Sequence, residues 1–189
     1  MNSASTAVST WVIDQTHTIA EFSARHMMVS TVKGRFRSLQ GAIQWDEADP
    51  SRSSVDATID VASIDTSEPQ RDGHLRSDDF FNAEKYPTIS FRSTRIEVED
   101  EQHAKIHGLL TIRDVTKEVV LETELEGRIT DPYGKQRAGF SAEAAISRRE
   151  FDLKWNMLLE GGGAIVGDRV KITLHVEAVL QGETPAQTA

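Results

Sequence analysis

The sequence predicts an all-β fold, an eight-stranded antiparallel, lipocalin-like barrel with one or two short helices. Three observations lead there. Apolar and polar residues alternate with period two in segment after segment, the pattern of a sheet with one buried and one wet face. Turn chemistry separates the segments, as in Asp131-Pro132-Tyr133-Gly134 and Asp49-Pro50-Ser51. Eight such segments can close a sheet on itself, which removes its exposed edges.

In chain order, strands are expected at Trp11–Arg25 and Gly34–Trp45, with a pause at Met27–Val32 that reads as a short helix. Val55–Val61 alternates against Asp56, Thr58 and Asp60. Ser67-Glu68-Pro69-Gln70 reads as a capping box with proline in the first turn, opening a helix to about Arg76. Ser77-Asp78-Asp79-Phe80-Phe81 then reads as a second cap and a short turn. Thr88–Val98 slips phase between Phe91 and Ile96, which predicts a bulge. Ala104–Ile112, Lys117–Ile129, Ala138–Ile146 and Val170–Leu180 complete the set. Within Lys117–Ile129 the face shared by Val119, Leu121, Thr123, Leu125, Gly127 and Ile129 is expected to point inward. Residues 1–10 and 181–189 are small, polar and aperiodic, so they are expected to be disordered around one domain at 11–180.

Composition narrows the function classes. A chain of 189 residues supports one full core. A net charge of −9 argues against nucleic-acid partners, which need a basic face. The absence of cysteine excludes disulfides, thiolate metal sites and cysteine nucleophiles. No run is long and apolar enough for a transmembrane segment. Residues 1–10 carry no basic and apolar leader, so a cytoplasmic location is expected; a trimmed mature form would be periplasmic or secreted.

The inward face is rich in small residues: Ala20, Ala24, Ala57, Ala104, Gly108, Gly127, Ala138, Ala142, Ala144 and Ala178. Side chains normally fill an eight-stranded barrel, so this lining predicts a dry, elongated hollow. A lipid chain there gains roughly 0.8 kcal/mol per buried methylene. The candidate lipid-binding residues are Phe22, Phe36, Ile59, Phe80, Phe91, Leu110, Phe140, Ala142, Ala144 and Leu174, with His26 closing the first strand. Arg71 and His74 share a helix face near its N-terminus and are expected to meet an anionic head group. No catalytic residue, metal ligand or resident cofactor is expected: Asp72 and His74 are a weak metal pair, no G-x-S-x-G elbow occurs, and Gly161-Gly162-Gly163 lacks the Lys-Ser/Thr of a P-loop. Two other readings remain: an enzyme acting on an apolar substrate in the same barrel, marked by a nucleophile–base pair at the cavity, and a stress-response structural protein whose barrel is filled by its own side chains.

The ordered motifs resemble the YceI-like, polyisoprenoid-binding family. They are Trp11-Val12-Ile13-Asp14 with Thr16-His17-Thr18, Phe22, His26-Met27-Met28-Val29-Ser30, Val32-Lys33-Gly34-Arg35-Phe36, and Ala62-Ser63-Ile64-Asp65-Thr66. Arg71-Asp72-Gly73-His74-Leu75-Arg76-Ser77, Asp79-Phe80-Phe81, Tyr86-Pro87-Thr88-Ile89-Ser90-Phe91, Gly108-Leu109-Leu110-Thr111-Ile112 and Val115-Thr116-Lys117 follow. The resemblance spans about residues 11–180. It implies a barrel enclosing an isoprenoid or isoprenoid-quinone chain as ligand, no enzymatic activity, and a homodimer. Two positions depart from the family's habit of glycine: Asp114 before Val-Thr-Lys, and Asp152 after Arg148-Arg149-Glu150-Phe151.

Overall fold

A computed structural model describes residues 8–183. Its strands are β1 (Val8–Ile13), β2 (Ile19–His26), β3 (Ser30–Phe36), β4 (Leu39–Asp46), β5 (Ser54–Asp60), β6 (Ile64–Asp65), β7 (Thr88–Val98), β8 (His103–Ile112), β9 (Val115–Thr130), β10 (Gln136–Ser147) and β11 (Val166–Glu183), with one helix, α1 (Pro69–Arg76). The antiparallel order β1–β4–β5–β7–β8–β9–β10–β11 closes through a pairing of β11 with β1, making a ring of eight. β2, β3 and β6 extend the sheet from β11 beyond the ring.

The two long expected strands at the start of the domain are each broken. At Asp14 the side chain accepts the Thr16 N–H (3.0 Å) and caps a 3-10 turn at Gln15–His17, separating β1 from β2. At Arg37 and Ser38 both backbone N–H groups donate to the Ser63 hydroxyl instead of to a neighbouring strand (3.1 Å each), separating β3 from β4. Each break leaves one half in the ring and the other in the extension. The inward phase changes across each break: Trp11 and Ile13 are buried before the first and Ala20 after it, Gly34 and Phe36 before the second and Leu39 and Trp45 after it.

Several local expectations are corrected. Met27–Val32 is not helical: Met27 (φ 49°) and Met28 (φ 61°) sit in the left-handed region and reverse the chain, so that His26 pairs with Ser30. The N-cap of α1 is Glu68, whose carboxylate accepts the N–H groups of Gln70 and Arg71; Ser67, expected as the cap, lies outside at φ 62°. In β9 the register shifts so that Gly139 faces Gly127 but Phe140 faces Leu125. The bulge at Glu126 reverses the alternation, and Ile129, expected inside, is 66% exposed. The expected β7 bulge lies between Ser93 and Arg95. Strand pairing also reaches past the expected domain limits, with Ser9 opposite Glu183. Of the tails expected to be disordered, residues 8–10 and 181–183 are therefore strand, and residues 1–7 and 184–189 lie outside the described residues.

The two departures from glycine are built as follows. Ile112 pairs with Val115 across a two-residue turn in which Arg113, not Asp114, takes the positive φ (56°). Asp152 does occupy the left-handed region (φ 63°), where its N–H donates to the Arg149 carbonyl (3.1 Å) and its carboxylate pairs with Lys154 (2.7 Å). Short polar side chains are the non-glycine residues that visit this region most readily.

Two packed clusters bracket the barrel interior. One gathers Phe36, Leu39, Val61, Ile64, Ile112, Phe151 and Leu153. The other stacks Trp11 on Trp45 (centroids 5.7 Å apart) and Trp45 on Phe140 (5.5 Å), against Ala138 and Ala178. The Arg128 guanidinium covers Trp45 at 3.6 Å from the ring centroid. Part of the small-residue lining thus serves packing rather than hollow space. Ala138 and Ala178 make room for the tryptophans. Gly34 and Gly108 lie under the rings of Phe22 and Phe91, where a Cβ would collide with the ring carbons.

Candidate functional site

Between the two clusters the barrel encloses a cavity of about 700 Å³, within the roughly 300–1,000 Å³ range of small-molecule sites. Its walls come from every ring strand: Ile13, Ile43, Val55, Ala57, Ile59, Ile89, Ile106, Leu121 and Val176 are typical. Strand alternation places them there, since each is an inward residue of its strand. Phe80 and Phe81, from the turn after α1, and Leu75 of α1 close one end with Leu153. The carbonyl of Phe80 is fastened by Nη1 of Arg113 (3.1 Å), reaching over from the β8–β9 turn. At the opposite end the lining residues are exposed: Pro50, Val98, Asp100, Glu101, Gln102 and His103 form the rim. That end is the mouth and the α1 end is blind.

The rim is mostly polar and carries two carboxylates, Asp100 and Glu101. Asp100 accepts the N–H groups of Gln102 and His103 (2.8 Å each) and pairs with the His103 imidazole (2.9 Å). These contacts hold the Asp100 carboxyl below its usual range and raise the His103 pKa. Within the cavity Glu21, Ser53, Ser90, Thr123 and Arg148 add polar groups to an otherwise apolar wall. Arg148 is itself buried, at 3% exposure.

The barrel of eight antiparallel strands encloses a mainly apolar cavity open at one end, and residues 11–178 match the YceI-like domain. The chain belongs to the YceI-like family. A relative in Photorhabdus laumondii, UPF0312 protein plu2095, is 39% identical over 156 residues, covering 82% of this chain and 81% of the relative. Among solved structures, the Campylobacter jejuni YceI protein is similar at 34% identity and TM-score 0.72, covering 84% of this chain and 90% of that one. A polyisoprenoid binding domain from Saccharophagus degradans shares the fold at TM-score 0.70 and 14% identity, covering 92% and 99%.

Within this YceI-like barrel the sequence-predicted residues divide. Phe22, Phe36, Ile59, Phe80 and Phe91 line the cavity, as do Leu110, Phe140, Ala142 and Leu174. Ala144 lies on the same face of β10, opposite Ile172, but is not among the lining residues. His26 ends β2 at the reversal and is also outside the lining. Arg71 and His74 are placed elsewhere too. Arg71 donates from Nε to the Thr66 hydroxyl (2.8 Å) and from Nη2 to the Thr66 carbonyl (2.9 Å). His74 pairs with Asp79 (2.8 Å) and packs edge-on against Phe80 and Trp155. Both side chains fasten α1 and its following turn rather than facing the hollow. Alternation found the wall residues because it is a local property. It could not place α1, whose side chains are held by Thr66 and Asp79 on either side and by Trp155 far along the chain, and it passed over Arg148 and Phe81.

A second polar cluster lies outside the cavity. Asp14, His17 and Glu177 bring ligand-type atoms together, but Arg137 already occupies them, donating to Asp14 (3.0 Å), Glu177 (2.5 Å) and Asp131 (2.7 Å). The group ties the β1–β2 break to β10, β11 and the β9–β10 turn. The His17 imidazole and then the Arg137 guanidinium hold Asp14 down at about 2, and Arg137 likewise lowers Asp131. A carboxylate whose folded pKa is depressed stabilises the fold above its unfolded value and loses that contribution as pH falls through the folded value. Urea midpoints should therefore drop between about pH 4 and pH 2. In Arg137→Met the protein should be less stable at pH 7, and this part of the acid limb should shrink. An unchanged acid limb in the variant would show that the cluster is not its source.

Proposed function

We propose that the protein binds one long apolar lipid of the isoprenoid or isoprenoid-quinone class in the barrel cavity and carries or sequesters it without chemical change. One observation carries this reading: an apolar cavity of about 700 Å³ with a single polar rim. A filled barrel, the structural alternative, would leave no such volume. The similarity in fold to a polyisoprenoid binding domain supports the ligand class. Carriage is favoured over catalysis by the site's chemistry. Among the described residues His103 is held by Asp100 and not by a lining hydroxyl, so no nucleophile–base pair is assembled at the mouth.

The test is native mass spectrometry of the purified protein, organic extraction of what it holds, and a homologous series of isoprenoid alcohols. A 1:1 lipid adduct is expected. Affinity should rise by roughly 0.8 kcal/mol per buried methylene, about fourfold each, until the cavity is full. No adduct, together with affinity independent of chain length, would overturn the reading.

A further inference from the structure

Arg148 follows the last inward residue of β10 and turns its guanidinium into the protein at the blind end of the cavity. Nε donates to the Gly167 carbonyl (2.9 Å), Nη1 to those of Leu153 (2.5 Å) and Trp155 (3.0 Å), and Nη2 to that of Val166 (3.1 Å). A guanidinium has five N–H groups, so one on Nη2 is left over. Among the described residues no carboxylate pairs with it. Asp168, whose charge does act on it, is hydrogen-bonded instead by Ser147 (2.7 Å) and the Arg149 backbone (3.2 Å). The guanidinium is thus bonded directly only to neutral carbonyls, with Asp168 acting at longer range, and a buried cation without a direct ion pair is costly.

The mouth has the opposite character. Asp100 and Glu101 stand on the rim, so an anionic group left at the mouth meets like charge. An anionic or strongly accepting group at the blind end meets Arg148. Both ends favour the same orientation.

Resting on the carrier reading above, we propose that Arg148 is a specificity-determining residue: its remaining N–H donates to an oxygen of the lipid end that reaches the blind end, so the preferred occupant is a chain terminated by a carboxylate rather than by a hydroxyl. If Arg148 merely clamps the segment between β10 and β11, it is indifferent to the ligand's end group.

The experiment titrates the full chain at pH 8 with geranylgeranoic acid and with geranylgeraniol, and follows the Arg148 side-chain N–H resonances in each titration. At this pH the acid is ionised. The acid should bind at least tenfold more tightly, and the Arg148 Nε–H signal should shift with the acid but not with the alcohol. Arg148→Met, where it folds, should bring the two affinities together; the wild-type preference and the resonance shift decide the matter if it does not fold. Equal wild-type affinities, an unmoved Arg148 signal, or a preference abolished by His103→Gln would each overturn the proposal while leaving the carrier reading intact. Failure of both lipids to bind would overturn the carrier reading and this proposal together.

Discussion

Ala142→Phe is expected to weaken binding of a twenty-carbon isoprenoid by about a hundredfold while the barrel stays folded. Ala142 is buried on β10, opposite Leu174 of β11 and Thr123 of β9, and its Cβ faces the cavity. A benzyl group built there takes the room of about four methylenes, and at roughly 0.8 kcal/mol each that is ~3 kcal/mol of lost burial. Overpacking normally costs about 1–3 kcal/mol because a full core must give way. Here the added ring enters space already empty, so unfolding midpoints should move little. Ala144→Phe, two residues along on the same face, is the comparison, because Ala144 does not line the hollow. It should disturb packing more than lipid uptake. Fluorescent-lipid titration and chemical denaturation of the two variants measure both quantities. Undiminished uptake in a folded Ala142→Phe protein would place the ligand elsewhere.

Trp11→Ala should cost about 3–5 kcal/mol of stability, a large share of the roughly 5–15 kcal/mol that holds a domain together. Trp11 is 1% exposed and stacks on Trp45 over Ala138 and Ala178. Its indole N–H donates to the Ser9 hydroxyl (2.9 Å), which in turn donates to the Trp45 carbonyl (3.3 Å). Truncation empties the space between β1, β4, β10 and β11, and it does so at the β1–β11 pairing that closes the ring. The two alanines beneath cannot grow to fill it. Trp11→Phe, which keeps most of the ring volume, should lose much less. Urea denaturation followed by far-ultraviolet circular dichroism provides the measurement. A loss under 1 kcal/mol for Trp11→Ala would mean that β1 contributes little to closure.

By itself the sequence determined the all-β class, the eight ring strands and most of the cavity wall. Period-two alternation is set by the geometry of an extended chain, residue by residue. Val119, Leu121 and Leu125, or Ile106 and Leu110, therefore declare their face without knowledge of their neighbours. Tertiary structure alone decided four things. It broke the second long strand at Arg37, because Ser63, distant in sequence, takes the backbone bonds a strand partner would have made. It turned Ile129 outward, because a bulge depends on the register of a partner strand and not on the bulged strand's own pattern. It assigned the small inward residues to different tasks: Ala138 and Ala178 beneath the tryptophans, Gly34 and Gly108 beneath phenylalanine rings, and Ala57 and Ala142 on the open cavity. Finally, it directed Arg71 and His74 into the fastening of α1 and buried Arg148 at the blind end. Where a charged side chain finds its acceptors is a matter of three-dimensional neighbours: the Leu153, Trp155, Val166 and Gly167 carbonyls meet around Arg148 only after the chain has folded back from β10 to β11.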